Sequence, residues 1–133
     1  IFNNDIKYTL KDRDINAVRL TWLVKYISNQ NLNIVISANI TSLKFRNWCK
    51  KNIKNYFEIF IDTPMEILKK RDYKKLYKRA LKGKIKNVVG VDIKFIKPKN
   101  FDLKIDNSKN KSDLYLNYFK ILKIIKKKNI KIY

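Results

Sequence analysis

Asp12-Arg13, Asn16 and Arg19 are spaced by three to seven residues. On a helix that spacing lets Arg13 and Asn16, with Arg19 further along, project towards one ligand. A planar guanidinium makes a two-point contact to a phosphate, and an amide reads a ribose or a neighbouring oxygen. The same spacing also describes a solvated helix face. A second basic group, Lys74, Lys75, Lys78, Arg79 and Lys82, reads on its own as solvated surface. The chain has no histidine, and neither a metal-ligand spacing nor a Ser/His/Asp set is present. Its one cysteine, Cys49, excludes an internal disulfide and fits a reducing compartment; the expectation is a half-buried helix residue rather than a reactive thiol.

The elements that must position these groups fit one domain. The chain has 133 residues, 45% of them hydrophobic, with only two Gly and two Pro, so a core is expected and a flexible linker is not. Net charge is +21, from 32 Lys+Arg against 11 Asp+Glu. Lys, Asn and Ile dominate together, as a coding bias would produce. The charge supports steering of an anionic substrate. Basic residues run along the whole chain without a recognition helix or RNA-binding motif, so nucleic acid is not the expected partner. No apolar run approaches the ~20 residues of a membrane helix and no signal-peptide pattern is seen, so a cytoplasmic protein without a membrane partner is expected.

Helices alternate with short apolar strands, which predicts an α/β domain with a parallel sheet. Thr9-Leu10-Lys11-Asp12 resembles a capping box that starts a helix after Tyr8. Ile15, Val18, Trp22 and Tyr26 form its predicted core face, widened by Leu20, Leu23 and Ile27, and it stops in Ser28-Asn29-Gln30-Asn31. Residues 33–39, around Ile34-Val35-Ile36, read as a buried strand. A second helix is expected over 42–53, carrying Phe45, Trp48 and Cys49. A strand over 57–61 then leads through Asp62-Thr63-Pro64 into a helix reaching Arg71. A short basic helix is predicted over 74–82, stopped by Gly83. Residues 84–98 look irregular, and 101–106 reads as a last strand. Leu114, Tyr118, Ile121, Leu122 and Ile125 stripe a final helix, which ends in the solvated run Lys126-Lys127-Lys128.

The series Phe60-Ile61-Asp62-Thr63-Pro64, Arg71-Asp72, Leu76-Tyr77-Lys78 and Ile85-Lys86-Asn87-Val88-Val89-Gly90-Val91-Asp92 resembles the C-terminal half of adenylylsulfate kinases. There it reads roughly F-V-D-T-P, R-D-x-K-G-L-Y-K and E-I-K-x-F-T-G-I-D. The stretch from Ile1 to Arg13 is similar to the family's x-F-G-N-D-L-G-Y-S-x-E-D-R, and Asn16 and Arg19 match its N-x-x-R. The resemblance covers nearly the whole chain. It implies a three-layer P-loop kinase-type parallel sheet with helices on both faces. It implies transfer of the γ-phosphoryl of ATP, with Mg²⁺, to the 3′-hydroxyl of a nucleotide bearing a substituted 5′ phosphate. Substrate-binding residues implied are Arg13, Asn16, Ile40 or Thr41, Lys86 and Val88. Arg71, Lys74 and Lys78 are implied near the nucleotide phosphates, and a homodimer is the implied assembly.

The sequence departs from the family at several of these positions. Lys75 replaces the glycine of K-G-L-Y, and Val88 replaces a phenylalanine whose ring packs on adenine, which removes a stacking surface. The family's I-S-P-Y-R after the central strand is not kept. Ile40, or Thr41 after a one-residue slip, falls at its serine, and Lys44 or Arg46 must stand for its arginine. A V-V-G-V-D-I setting resembles a divergent branch found with surface-polysaccharide genes, one class of which phosphorylates cytidine diphosphoramidate. Neither G-x-x-x-x-G-K-[ST] nor D-G-D occurs in the 133 residues. The expectation is an N-terminally truncated member of the family, inactive as this chain alone.

Overall fold

The capping box forms as read. The Asp12 amide donates to Thr9 Oγ1 at 3.2 Å and the Thr9 amide to Asp12 Oδ2 at 3.1 Å, which starts helix α1 (Leu10–Ser28). The computed structural model describes residues 5–109 and 113–127. After α1 come α2 (Leu43–Asn52), β1 (Ile59–Asp62), α3 (Met65–Lys70), α4 (Leu76–Leu81), β2 (Leu103–Asp106) and α5 (Asp113–Lys127). Strands β1 and β2 pair in parallel, with Ile59 opposite Leu103 and Asp62 opposite Asp106. Strand alternation sends Phe60 to one face, where it meets Phe95 and Phe101 at 6.3 and 5.8 Å between ring centroids. Ile61 and Ile105 line an apolar cavity of about 670 Å³ together with Tyr115, Tyr118, Phe119 and Ile121 of α5.

Two expectations are corrected. The predicted core stripe of α1 faces outward: Val18 is 41% exposed, Trp22 61% and Tyr26 67%. The buried residues are Ala17 and Thr21, because α1 packs on α2 and only small side chains admit that approach. Trp22 meets Trp48 of α2 at 5.2 Å between centroids. Residues 33–39 do not form a strand; they are irregular, and Val35 is 96% exposed. No strand among the described residues runs alongside, so this segment has no ladder to join.

The other elements keep their predicted places with shorter ends. The basic helix begins at Leu76 rather than Lys74, because Asp72 accepts hydrogen bonds from the Leu76 and Lys78 amides at 2.7 and 2.8 Å and sets its first turn. Lys75, at the resemblance's glycine, has a left-handed backbone with φ +53°, a conformation a Cβ makes costly by about 1–2 kcal/mol. On α2, Phe45 and Cys49 are buried, and burial pushes the Cys49 thiol up, as expected for an inert core residue. On α5, Ile121, Leu122 and Ile125 are half-buried, and Tyr118 lines the apolar cavity. The Leu114 side chain, the Lys128 position and the part of the N-terminal resemblance over 1–4 lie outside what is described. Among the described residues, no helix is long and apolar enough to cross a membrane.

Candidate functional site

A cavity of about 300 Å³ opens between the first half of α1 and the irregular segment 37–42. Helical spacing brings Arg13, Asp14, Asn16, Ala17 and Leu20 to it, and the facing wall is Ser37 to Ser42. Four expected site residues therefore meet here: Arg13, Asn16, Ile40 and Thr41. Both candidates for the family serine position line the cavity, with Thr41 buried and Ile40 half-buried. The hydroxyls and amide of Ser37, Asn39 and Ser42 were not singled out from sequence, since an expected buried strand would have hidden half of them.

Arg13 is held from two sides. Its Nε donates to the Tyr8 carbonyl at 3.1 Å and its Nη2 to the Asn87 carbonyl at 3.0 Å. Among the described residues, these bonds use two of the five guanidinium N–H groups and leave three for a ligand. Arg19 is placed differently: it grips Asp5 with bonds of 3.2 and 2.8 Å, and that partner holds the Asp5 carboxyl below the usual carboxylate range. Arg19 is therefore a tether for the chain start rather than a second hand in the cavity.

The remaining expected residues stand elsewhere. Lys86 is exposed at the head of the 87–93 turn. Val88 is only 6% exposed and packs in the core with Ile93, so its side chain offers no platform in the cavity. Arg71 donates to the carbonyls of Asn107 and Lys109 at 2.8 and 2.5 Å, which fixes the segment after β2. Lys74, just before α4, and Lys78, on it, are both exposed. None of these lines the cavity. Of the two stand-ins for the family arginine, Arg46 is committed to an ion pair with Glu58, and Lys44 is exposed.

At the end of β1, Asp62 is bonded by Lys97 and Lys104, each at 2.9 Å. Lys104 foremost, then Lys97, holds its carboxyl below the usual range. Among the described residues, no three of His, Cys, Asp and Glu converge on a metal-sized space.

The described residues thus form a parallel-stranded α/β unit with an arginine-lined cavity beside α1. The adenylylsulphate kinase family model matches residues 2–106, and the chain belongs to that family. It is 37% identical over 101 residues to the cytidine diphosphoramidate kinase of Campylobacter jejuni, covering 76% of this chain and 59% of that protein. It is 33% identical over 129 residues to an adenylyl-sulfate kinase of Buchnera aphidicola, covering 96% of this chain and 61% of that protein. The chain thus spans about three fifths of the length of these relatives. Among solved structures, an APS kinase of Mycobacterium tuberculosis in complex with AMPPNP and APS matches with a TM-score of 0.76 and 26% identity. That match covers 90% of this chain and 71% of the other.

Proposed function

We propose that the cavity between α1 and residues 37–42 receives the acceptor nucleotide of a phosphoryl transfer from ATP to a 3′-hydroxyl. The observation that supports this reading best is the meeting of Arg13 and Asn16 with Ile40 and Thr41 around one space. Arg13 supplies a fixed cation with three uncommitted N–H groups for the substituted 5′ phosphate, and Asn16 supplies an amide for a sugar oxygen. ATP is the donor in this reading, with Arg71, Lys74 and Lys78 on its side. The 133 residues carry no P-loop sequence, so this chain alone is expected to bind nucleotide without transferring phosphoryl groups.

Adenylyl sulfate is the first acceptor to test. The aliphatic, buried Val88, which gives adenine no shelf, favours cytidine diphosphoramidate as the second. Titration calorimetry of the chain with each nucleotide is expected to give saturable binding to at least one. No binding to either would sink the assignment.

For a homodimer, α1 offers the contact face. Leu10, Val18, Trp22 and Tyr26 recur every fourth residue, all exposed, with Asp14 in the same row. Such i±4 ridges interdigitate between helices. Antiparallel pairing about a dyad between Val18 and Trp22 sets the Asp14 carboxylate against the Tyr26 hydroxyl of the second copy. Sedimentation is expected to detect a dimer that Trp22→Glu dissociates, and a monomeric wild type would contradict this.

A further inference from the structure

The turn over 87–93 is closed by one side chain. Asp92 Oδ2 accepts from the Asn87 amide, and Oδ1 accepts from the Val88 amide at 2.6 Å. The Val88 carbonyl accepts from the amides of Val91, Asp92 and Ile93 at 3.1, 3.2 and 3.2 Å, and the Gly90 amide donates to the Ile93 carbonyl at 2.7 Å. Val88 and Ile93 are both buried, which ties this turn to the core. Gly90, with φ +89°, lets Met65 at the start of α3 lie against it: an added Cβ would sit 2.1 Å from the Met65 methyl.

Within this turn, Asn87 is the strained residue, at φ +66°. Asparagine tolerates that conformation better than most residues, but it persists only where its surroundings hold it. Both backbone groups of Asn87 are held: the amide by Asp92, and the carbonyl by Arg13 Nη2. Desolvation works against the Asp92 carboxylate, but the Asn87 and Val88 amides and the Arg13 charge outweigh it and keep the carboxyl below its usual range. Asp92 and Arg13 thus act on opposite sides of one peptide segment, and Arg13 alone of the two lines the cavity.

We propose that Asp92 is a positioning residue for Arg13: by gripping the Asn87 and Val88 amides it fixes the carbonyl that aims the guanidinium at the nucleotide. The inference rests on reading the cavity as a nucleotide site, but the state of Arg13 can be measured without any nucleotide. If the Asn87 carbonyl moved, Arg13 would keep its charge and lose its direction, which is what two-point phosphate recognition needs.

The test is Asp92→Asn, which preserves size and removes one of the two acceptor oxygens. In nitrogen-labelled chain, the signal of Arg13 Nη2–H, the group bonded to the Asn87 carbonyl, is expected to exchange with water about tenfold faster in the variant. Affinity for adenylyl sulfate or cytidine diphosphoramidate is expected to fall about tenfold, with circular dichroism unchanged. An unchanged Arg13 signal, or a changed signal with full affinity, would overturn the proposal. Should Asp92→Asn fail to fold, nucleotide titration of the wild type decides: Arg13 Nη2–H and the Asn87 and Val88 amides should shift together with one midpoint. A shift of Arg13 alone would overturn it. If the wild type binds neither nucleotide, the functional reading fails by itself, and the exchange rate of Arg13 in Asp92→Asn still decides whether Asp92 holds it.

Discussion

Arg13→Ala is expected to weaken binding of the acceptor nucleotide about 100-fold. A hydrogen bond to a charged group contributes about 1.5–3 kcal/mol, so losing a two-point contact removes roughly 3 kcal/mol, or two factors of ten. Arg13 is the cation among the residues lining the cavity, and Asp14 beside it adds a negative charge that a phosphate must overcome. Without the guanidinium the local field turns against the ligand. Arg13→Lys keeps the charge but not the planar fork, and the expected loss is about tenfold. Calorimetric titration of both variants checks this order. Wild-type affinity in Arg13→Ala would remove the cavity from consideration as an anion site.

Arg46→Ala is expected to cost about 2–3 kcal/mol of folding stability. The Arg46 and Glu58 side chains are only 11% and 15% exposed, and their ion pair joins α2 to the residue before β1. Burial holds the guanidinium below its usual range, and the paired Glu58 carboxylate sits against it. Removing Arg46 strands the Glu58 carboxylate against Tyr56, whose hydroxyl is 3.4 Å away and a weak substitute. A fully buried pair would cost about 3–5 kcal/mol to break, and residual solvent access lowers the figure here. The double variant Arg46→Met, Glu58→Leu should recover most of the loss, since apolar replacement of both partners removes the unpaired charge. Urea unfolding of the three variants measures the difference; equal stability of Arg46→Ala and wild type would show that the pair contributes nothing.

What the sequence made legible was mostly local. The capping box at Thr9 and Asp12 needs only its own four residues, so its reading held. The outward face of α1 was misread because large apolar residues at helical spacing mimic a core stripe. Burial instead followed the small residues Ala17 and Thr21, and that choice is made by α2, a remote element. Residues 33–39 have the composition of a buried strand, yet a parallel strand exists only beside another. Arg13 and Asn16, singled out by spacing and resemblance, and Ile40 and Thr41, by resemblance alone, share a cavity. The core burial of Val88 and the grip of Asp92 were not legible. Both depend on how a turn closes against Arg13 and Met65, and no pattern within 84–98 announces those contacts.

The capped start of α1 has an evolutionary consequence. Many helices greet a phosphate with bare amides at their first turn, and there the backbone itself is the receptor. Here Thr9 and Asp12 occupy that end with each other, and Asp12 is negatively charged. In the proposed reading, anion recognition then falls to side chains further along the helix, which mutation can exchange one at a time without disturbing the scaffold. A nucleotide site built this way can change its acceptor by substitution at a few side chains while the capped helix that carries them stays as it is.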